Sequence, residues 1–171
     1  MFKVTGNCVT MRNQNALVWL WLTIVVIALD HLTKWWASTH LVFNQEVAIA
    51  PLVNFKLLHN PGAAFSLFAE AGGWQRWVLT ALALVVSSLL IGWLAQLSRR
   101  QRWLASALAL IIGGALGNAV DRVLYGYVVD FIDVYYQTWH WPAFNVADSA
   151  ISVGAVMLLI DAIFKGNPHS K

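Results

Sequence analysis

Three long stretches of this chain carry no formal charge. The run between Arg12 and Asp30 is 17 residues, that between Arg76 and Arg99 is 22, and that between Arg102 and Asp121 is 18. A fourth apolar stretch, 144–164, is broken only by Asp148 near its start and Asp161 near its end. A helix needs roughly 17–25 apolar residues to cross a bilayer. The spacing therefore predicts four transmembrane helices, near 16–37, 75–97, 103–124 and 144–164. The first has no small-x-small cleavage site after it and ends at Trp35 and Trp36, an interfacial pair, so it reads as a span and not a removed leader. Composition agrees. The chain is 59% hydrophobic and 11% charged, whereas soluble domains carry about 25% charged residues. That excludes an ordinary soluble domain, and disorder as well. The length of 171 residues allows a single domain over 1–171. The lone cysteine, Cys8, excludes an internal disulfide and a cysteine-only metal cluster.

Basic residues set the orientation. Lys3 and Arg12 precede the first span, Arg99, Arg100 and Arg102 fill the turn between the second and third, and Lys165 and Lys171 follow the fourth. Alternating spans put all of them, and both termini, on one side, the cytoplasmic one. No basic run exceeds 99–102, so a nucleic-acid surface is not expected. Two loops, about 38–74 and 125–143, then face out. Residues 41–58 are rich in Val, Ile and Phe with partial alternation, which predicts short strands. Asn60-Pro61-Gly62 is a turn signal, and residues 63–77 have helical spacing suited to lying in the interface. The expected fold is an all-α membrane bundle of four helices with a small β-rich outer platform and an interfacial helix.

Acidic residues gather at the outer level. Asp30, Asp121 and Asp148 fall near outer helix ends, and Asp130 and Asp133 lie just beyond the third helix. An ionisable group in apolar surroundings is costly and is a functional candidate for that reason. Local partners thin the set. Asp30 and Lys34 are four apart, so an ion pair that fixes the first helix accounts for both. Asp121 and Arg122 are adjacent and point apart, each free to pair across helices. Asp133 reads as a solvated loop residue. Asp130 and Asp148 have no cation within a helical turn and sit among Val128, Val129, Phe131, Phe144, Val146 and Ala147. Two carboxylates brought close together cannot both ionise, so they share one proton near neutral pH. The charged member can activate water and the protonated one can donate to a carbonyl oxygen, the division of labour for amide hydrolysis. The alternative from another class is a small proton-coupled transporter, although acids at one level do not make a relay across the bilayer. No HExxH, G-x-S-x-G or Walker-type loop competes. The five histidines show no metal-ligand spacing, so neither a metal nor a cofactor is expected. The run Gly113-Gly114-Ala115-Leu116-Gly117 reads as a close-packing helix face.

Five blocks in order resemble bacterial lipoprotein signal peptidase, or signal peptidase II: Asp30-His31-Leu32-Thr33-Lys34, Asn60-Pro61-Gly62-Ala63-Ala64-Phe65, Gly117-Asn118-Ala119-Val120-Asp121-Arg122, Val128-Val129-Asp130-Phe131, and Phe144-Asn145-Val146-Ala147-Asp148-Ser149. The resemblance spans about 30–161. It implies an aspartic endopeptidase of the bacterial cytoplasmic membrane that cuts the signal peptide from diacylglyceryl-modified prolipoproteins just before the lipidated cysteine. The catalytic pair would be Asp130 and Asp148. Asn60, Asn118, Asp121, Arg122 and Asn145 would line or brace the site, with Asp30 and Lys34 as a supporting pair. Arg122 and Asn60 have donors suited to substrate carbonyls. Residues 41–74 would form a platform and clasp, with Gly62, Gly72 and Gly73 permitting movement. Beyond that substrate and membrane lipid, the resemblance implies no partner, and no oligomer.

Overall fold

The computed structural model describes residues 15–62 and 73–165. Its elements are a turn of 3-10 helix at Ala16–Trp19 running into α1 (Leu20–His40), strands β1 (Glu46–Ala50) and β2 (Val53–Asn60), helices α2 (Gln75–Gln96) and α3 (Arg102–Leu124), strands β3 (Val128–Tyr136) and β4 (Trp139–His140), and α4 (Val146–Lys165). Four helices are long and apolar enough to cross a membrane: Ala16–His40, Gln75–Gln96, Arg102–Leu124 and Val146–Phe164. The bounds agree with the expected spans to within about three residues, the first continuing to His40. The expected interfacial helix at 63–77 falls mostly outside the described residues.

Helix α3 is the axis of the bundle. Just over half of its apolar stretch is buried, against about a fifth for each of the other three. Small residues allow this. A Cβ on Gly114 would run into the Ala147 carbonyl oxygen and lie 2.7 Å from Ile151 Cγ1. One on Gly113 would lie 2.8 Å from Val26 Cβ, and one on Gly154 would lie 2.7 Å from the Ala107 carbonyl oxygen. The glycine run thus brings α1 and α4 against α3 backbone to backbone, the packing open to membrane helices that lack a hydrophobic drive between them. Leu94, Leu104, Leu108 and Ile112 fill the α2–α3 contact near the 3-10 turn.

The four strands form one antiparallel sheet in the order β1-β2-β3-β4. It caps the end of the bundle where α1 and α3 finish and α2 and α4 begin. One irregularity matters for the site. The amides of Phe131 and Ile132 both donate to the Phe144 carbonyl, at 3.2 and 2.9 Å. Two residues of β3 therefore oppose one residue of the partner segment, a β-bulge. Without it, strand alternation would send Asp130 and Asp133 to opposite faces. With it, both line the same cavity.

Candidate active site

Helix α4 opens with a reciprocal cap. The Asp148 amide donates to Asn145 Oδ1 at 2.9 Å, and the Asn145 amide donates to Asp148 Oδ2 at 3.2 Å. This is the capping-box exchange between the cap residue and the third helical residue, and it fixes the rotamers of both side chains. The Asn145 side-chain amide is then left pointing at β3. Its Nδ2 donates to Asp130 Oδ1 at 2.7 Å, with longer contacts to the Val129 carbonyl and Asn118 Oδ1. Asn145 is fully buried and ties together the two carboxylates expected to act.

Each carboxylate has a second amide. Asn60 Nδ2 donates to Asp130 Oδ2 at 3.1 Å, and Asn118 Nδ2 donates to Asp148 Oδ1 at 2.8 Å. Among the described residues, neither Asp130 nor Asp148 makes an ion pair. Asp130 is 3% exposed. Burial pushes its carboxyl up to about 7 and the charge of Asp148 pushes the same way, while the amides of Asn60 and Asn145 act against both. Such a group changes its protonation near neutral pH.

A second cluster lies beside this one. Lys34 Nζ is 2.7 Å from Asp30 Oδ2, 2.8 Å from Asp121 Oδ2 and 2.8 Å from Asn118 Oδ1. All three charged side chains are almost wholly buried. Asp30 Oδ1 also accepts from the Ala147 amide at 2.9 Å, which caps α4 from α1, and Asp121 Oδ2 accepts from the Val129 amide at 3.3 Å. Gly117 makes room for this, since a Cβ there would lie 2.9 Å from Asp30 Oδ2. The expected i,i+4 pair on α1 is present, and Asp121 completes it across helices.

All ten expected site residues join one network: Asp30, Lys34, Asn60, Gly62, Asn118, Asp121, Arg122, Asp130, Asn145 and Asp148. Asn60 gives an amide hydrogen to Asp130, and Arg122 gives Nη2 to the Gly62 carbonyl at 2.9 Å and Nη1 to the Asn118 carbonyl at 3.2 Å. These donors brace the site before any substrate arrives. Gly62 is held rather than free: its amide donates to Asn60 Oδ1 at 3.0 Å, an Asx-type turn. Gly73 does take a positive φ of 94°, and Gly72 lies outside the described residues.

Asp133 corrects the reading of it as a solvated loop residue. It lies in β3, is 3% exposed, pairs with His140 Nδ1 at 2.9 Å and accepts from Asn54 Nδ2 at 3.3 Å. Its burial follows from the bulge, which no sequence period reveals. Glu46, Asp133 and His140 bring one ligand atom each within 4.8 Å of one another, a proximity absent from their spacing in the chain. Their side chains already have partners, with Lys56 Nζ on Glu46 Oε1 at 2.9 Å and His140 Nδ1 on Asp133.

A cavity of about 1130 Å³ opens over Asp130 and Asp148, lined also by Asn60, Asn118, Arg122 and the first two turns of α4. The arrangement suits hydrolysis of a polypeptide bond: a buried carboxylate and a half-buried one, each fixed by amides, beside room for an extended chain.

Residues 22–164 match the family described as Signal peptidase (SPase) II. A lipoprotein signal peptidase of Acinetobacter baumannii is 55% identical over 148 residues, which cover 86% of this chain and 84% of that protein. One of Hydrogenovibrio crunogenus is 47% identical over 159 residues, covering 93% of this chain and 92% of the other. Among solved structures, a bacterial membrane enzyme superposes with a TM-score of 0.79 at 27% identity, over 90% of this chain and 92% of that one.

Proposed function

The chain belongs to the signal peptidase II family, and on that premise we propose that it cuts the signal peptide from diacylglyceryl-modified prolipoproteins, with Asp130 and Asp148 as the catalytic pair. The single observation that carries the assignment is two carboxylates over one cavity, Asp130 buried and Asp148 half-buried, held by Asn60, Asn118 and Asn145 and, among the described residues, by no ion pair. The pair titrates as a unit and holds one proton near neutral pH. Its ionised member takes a proton from water as the oxygen attacks the carbonyl carbon before the lipidated cysteine. Its protonated member donates to the carbonyl oxygen. Breakdown of the tetrahedral intermediate returns a proton to the leaving amine and frees the mature amino terminus. Asn145 orients both acids, and the Lys34 cluster holds Asn118 and the start of α4 in place.

The basic turn at 99–102 supports a cytoplasmic position for that end of the bundle and for both termini. The sheet then stands on the outer side as a platform at headgroup level. There a bond between a membrane-spanning signal helix and an acyl-bearing cysteine meets the acids without the lipid leaving the bilayer. Residues 41–74 are proposed to clasp the substrate, and membrane lipid flanks the exposed faces of α1, α2 and α4.

The test is cleavage of a lipid-modified prolipoprotein by purified wild type, Asp130→Asn and Asp148→Asn. Each variant is expected to lose at least about 10³-fold in turnover, within the 10²–10⁴ that a positioned acid or base supplies. Cleavage within tenfold of wild type by either variant refutes the pair.

A further inference from the structure

The cavity extends well past the two acids. At one end it follows α4 along Ile151 and the exposed Ser152 and Val153. At the other it reaches the sheet, where Lys56, Asp133 and His140 line it. The first end is apolar and lies along a helix suited to spanning a membrane. The second is charged. A signal peptide, being an apolar helix, fits only the first. The chain that follows the cut bond must leave by the second.

His140 is the group there with unassigned chemistry. Its Nδ1 sits 2.9 and 3.0 Å from the two oxygens of Asp133. An ionised carboxylate only accepts, so Nδ1 carries the hydrogen and, in the neutral ring, Nε2 is an acceptor. The ring does not turn freely. Tyr135 stacks on it with centroids 5.6 Å apart, and the backbone of His140 is paired with Tyr135 in the sheet. Asp133 is itself fixed by Asn54. A buried carboxylate thus orients an exposed imidazole that lines the cavity over the two acids. That arrangement presents one acceptor at a fixed place, suited to an N–H of an extended polypeptide.

We propose that His140 is a positioning residue for the mature side of the substrate, accepting at Nε2 a hydrogen bond from a backbone N–H just after the lipidated cysteine. The inference rests on the proposed peptidase reading and deepens it. Asp133 fixes the tautomer and angle of His140 and takes no part in proton transfer at the scissile bond. The interaction acts on binding and register, so it governs KM more than kcat.

The experiment uses synthetic prolipoprotein substrates in which one amide is replaced by an ester, which removes a single N–H. Esters are placed at the first and second linkages after the cysteine, and one on the signal side serves as control. In wild type, one mature-side ester is expected to lower kcat/KM about 3- to 10-fold, through KM, as fits the net worth of one hydrogen bond. In His140→Asn that penalty is expected to vanish, while the signal-side penalty is unchanged. Asparagine keeps an N–H within reach of Asp133 but does not extend to the Nε2 position, so the variant retains the contact that holds the sheet. A mature-side penalty of the same size in wild type and His140→Asn overturns the proposal. So does a fall in kcat in His140→Asn with KM unchanged. Neither result bears on Asp130 and Asp148, whose assignment fails separately if their asparagine variants still cleave.

Discussion

Two groups of acids sit side by side in this protein, one wholly buried and one open to a cavity at Asp148, and the fold treats them oppositely. Asp30 and Asp121 share the ammonium of Lys34 at 2.7 and 2.8 Å and also accept backbone amides from Ala147 and Val129. Asp130 and Asp148 receive side-chain amides and one backbone amide, and no cation among the described residues. Buried charge is tolerated when it is paired and hydrogen-bonded. The first group meets that condition and fastens α1, α3 and α4 together. The second does not meet it, and the cost shows in Asp130, which is pushed up to about 7. An acid kept in that state is poorly placed to stabilise a fold and well placed to exchange protons at neutral pH. Asn118 joins the groups, accepting from Lys34 and donating to Asp148, so the structural cluster also aims the reactive one.

The sharpest way to break the comparison is Lys34→Met. It leaves two carboxylates buried without their counter-ion, and the expected loss is about 3–5 kcal/mol of stability. A thermal or denaturant melt in detergent reads it, and activity should fall further than the folded fraction does, because Asn118 loses the ammonium that holds it toward Asp148. A melt within one degree of wild type would mean that the paired cluster does not hold the bundle. Gly117→Ala should cost less, about 1–3 kcal/mol, because the added methyl meets Asp30 Oδ2, which Lys34 and the Ala147 amide keep from moving.

Titration separates the groups further. With Asp130 near 7, the pair gives up its shared proton above that pH, so kcat/KM should fall about tenfold per unit on the alkaline side. Stability moves with the same group. The folded carboxyl sits above its ordinary 3.8, so between about pH 4 and pH 7 the folded chain binds a proton that the unfolded chain has released. The contribution of Asp130 to stability is therefore full below about pH 4 and is lost as pH rises through 7. The smallest effect is expected for Asp133→Asn. That side chain should keep its contacts to Asn54 and His140 in altered form, and turnover should stay within about tenfold of wild type. A loss equal to that of Asp130→Asn would move the chemistry to the wrong carboxylate.

Much of this was legible in the chain. Uncharged runs located the helices because lipid leaves a backbone few solutions. Scarcity of charge made each acid a separate question, and the absence of a nearby cation picked out Asp130 and Asp148. The pairing of Asp30 with Lys34 followed from helical spacing. Two signals were present but unused. Gly114, Gly117, Asn118 and Asp121 recur at the spacing of one helix face, and Asn145 with Asp148 has the spacing of a helix cap. The burial of Asp133 was not legible at all. It depends on one extra residue in β3 opposite Phe144, and a strand period read from sequence assumes that no such residue exists. The third partner of Lys34 was hidden for a related reason, since contacts across helices depend on how closely the glycines let them approach.

The central claim is that Asp130 serves chemistry at the expense of the fold, and Asp130→Asn at pH 8 tests it in one protein sample. Prolipoprotein cleavage and the thermal midpoint are read side by side against wild type. The expected result is at least about 10³-fold lower turnover with a midpoint equal to or above wild type, because a neutral amide replaces an acid that resists ionising where it is buried. Retained cleavage, or a midpoint several degrees lower, would contradict it.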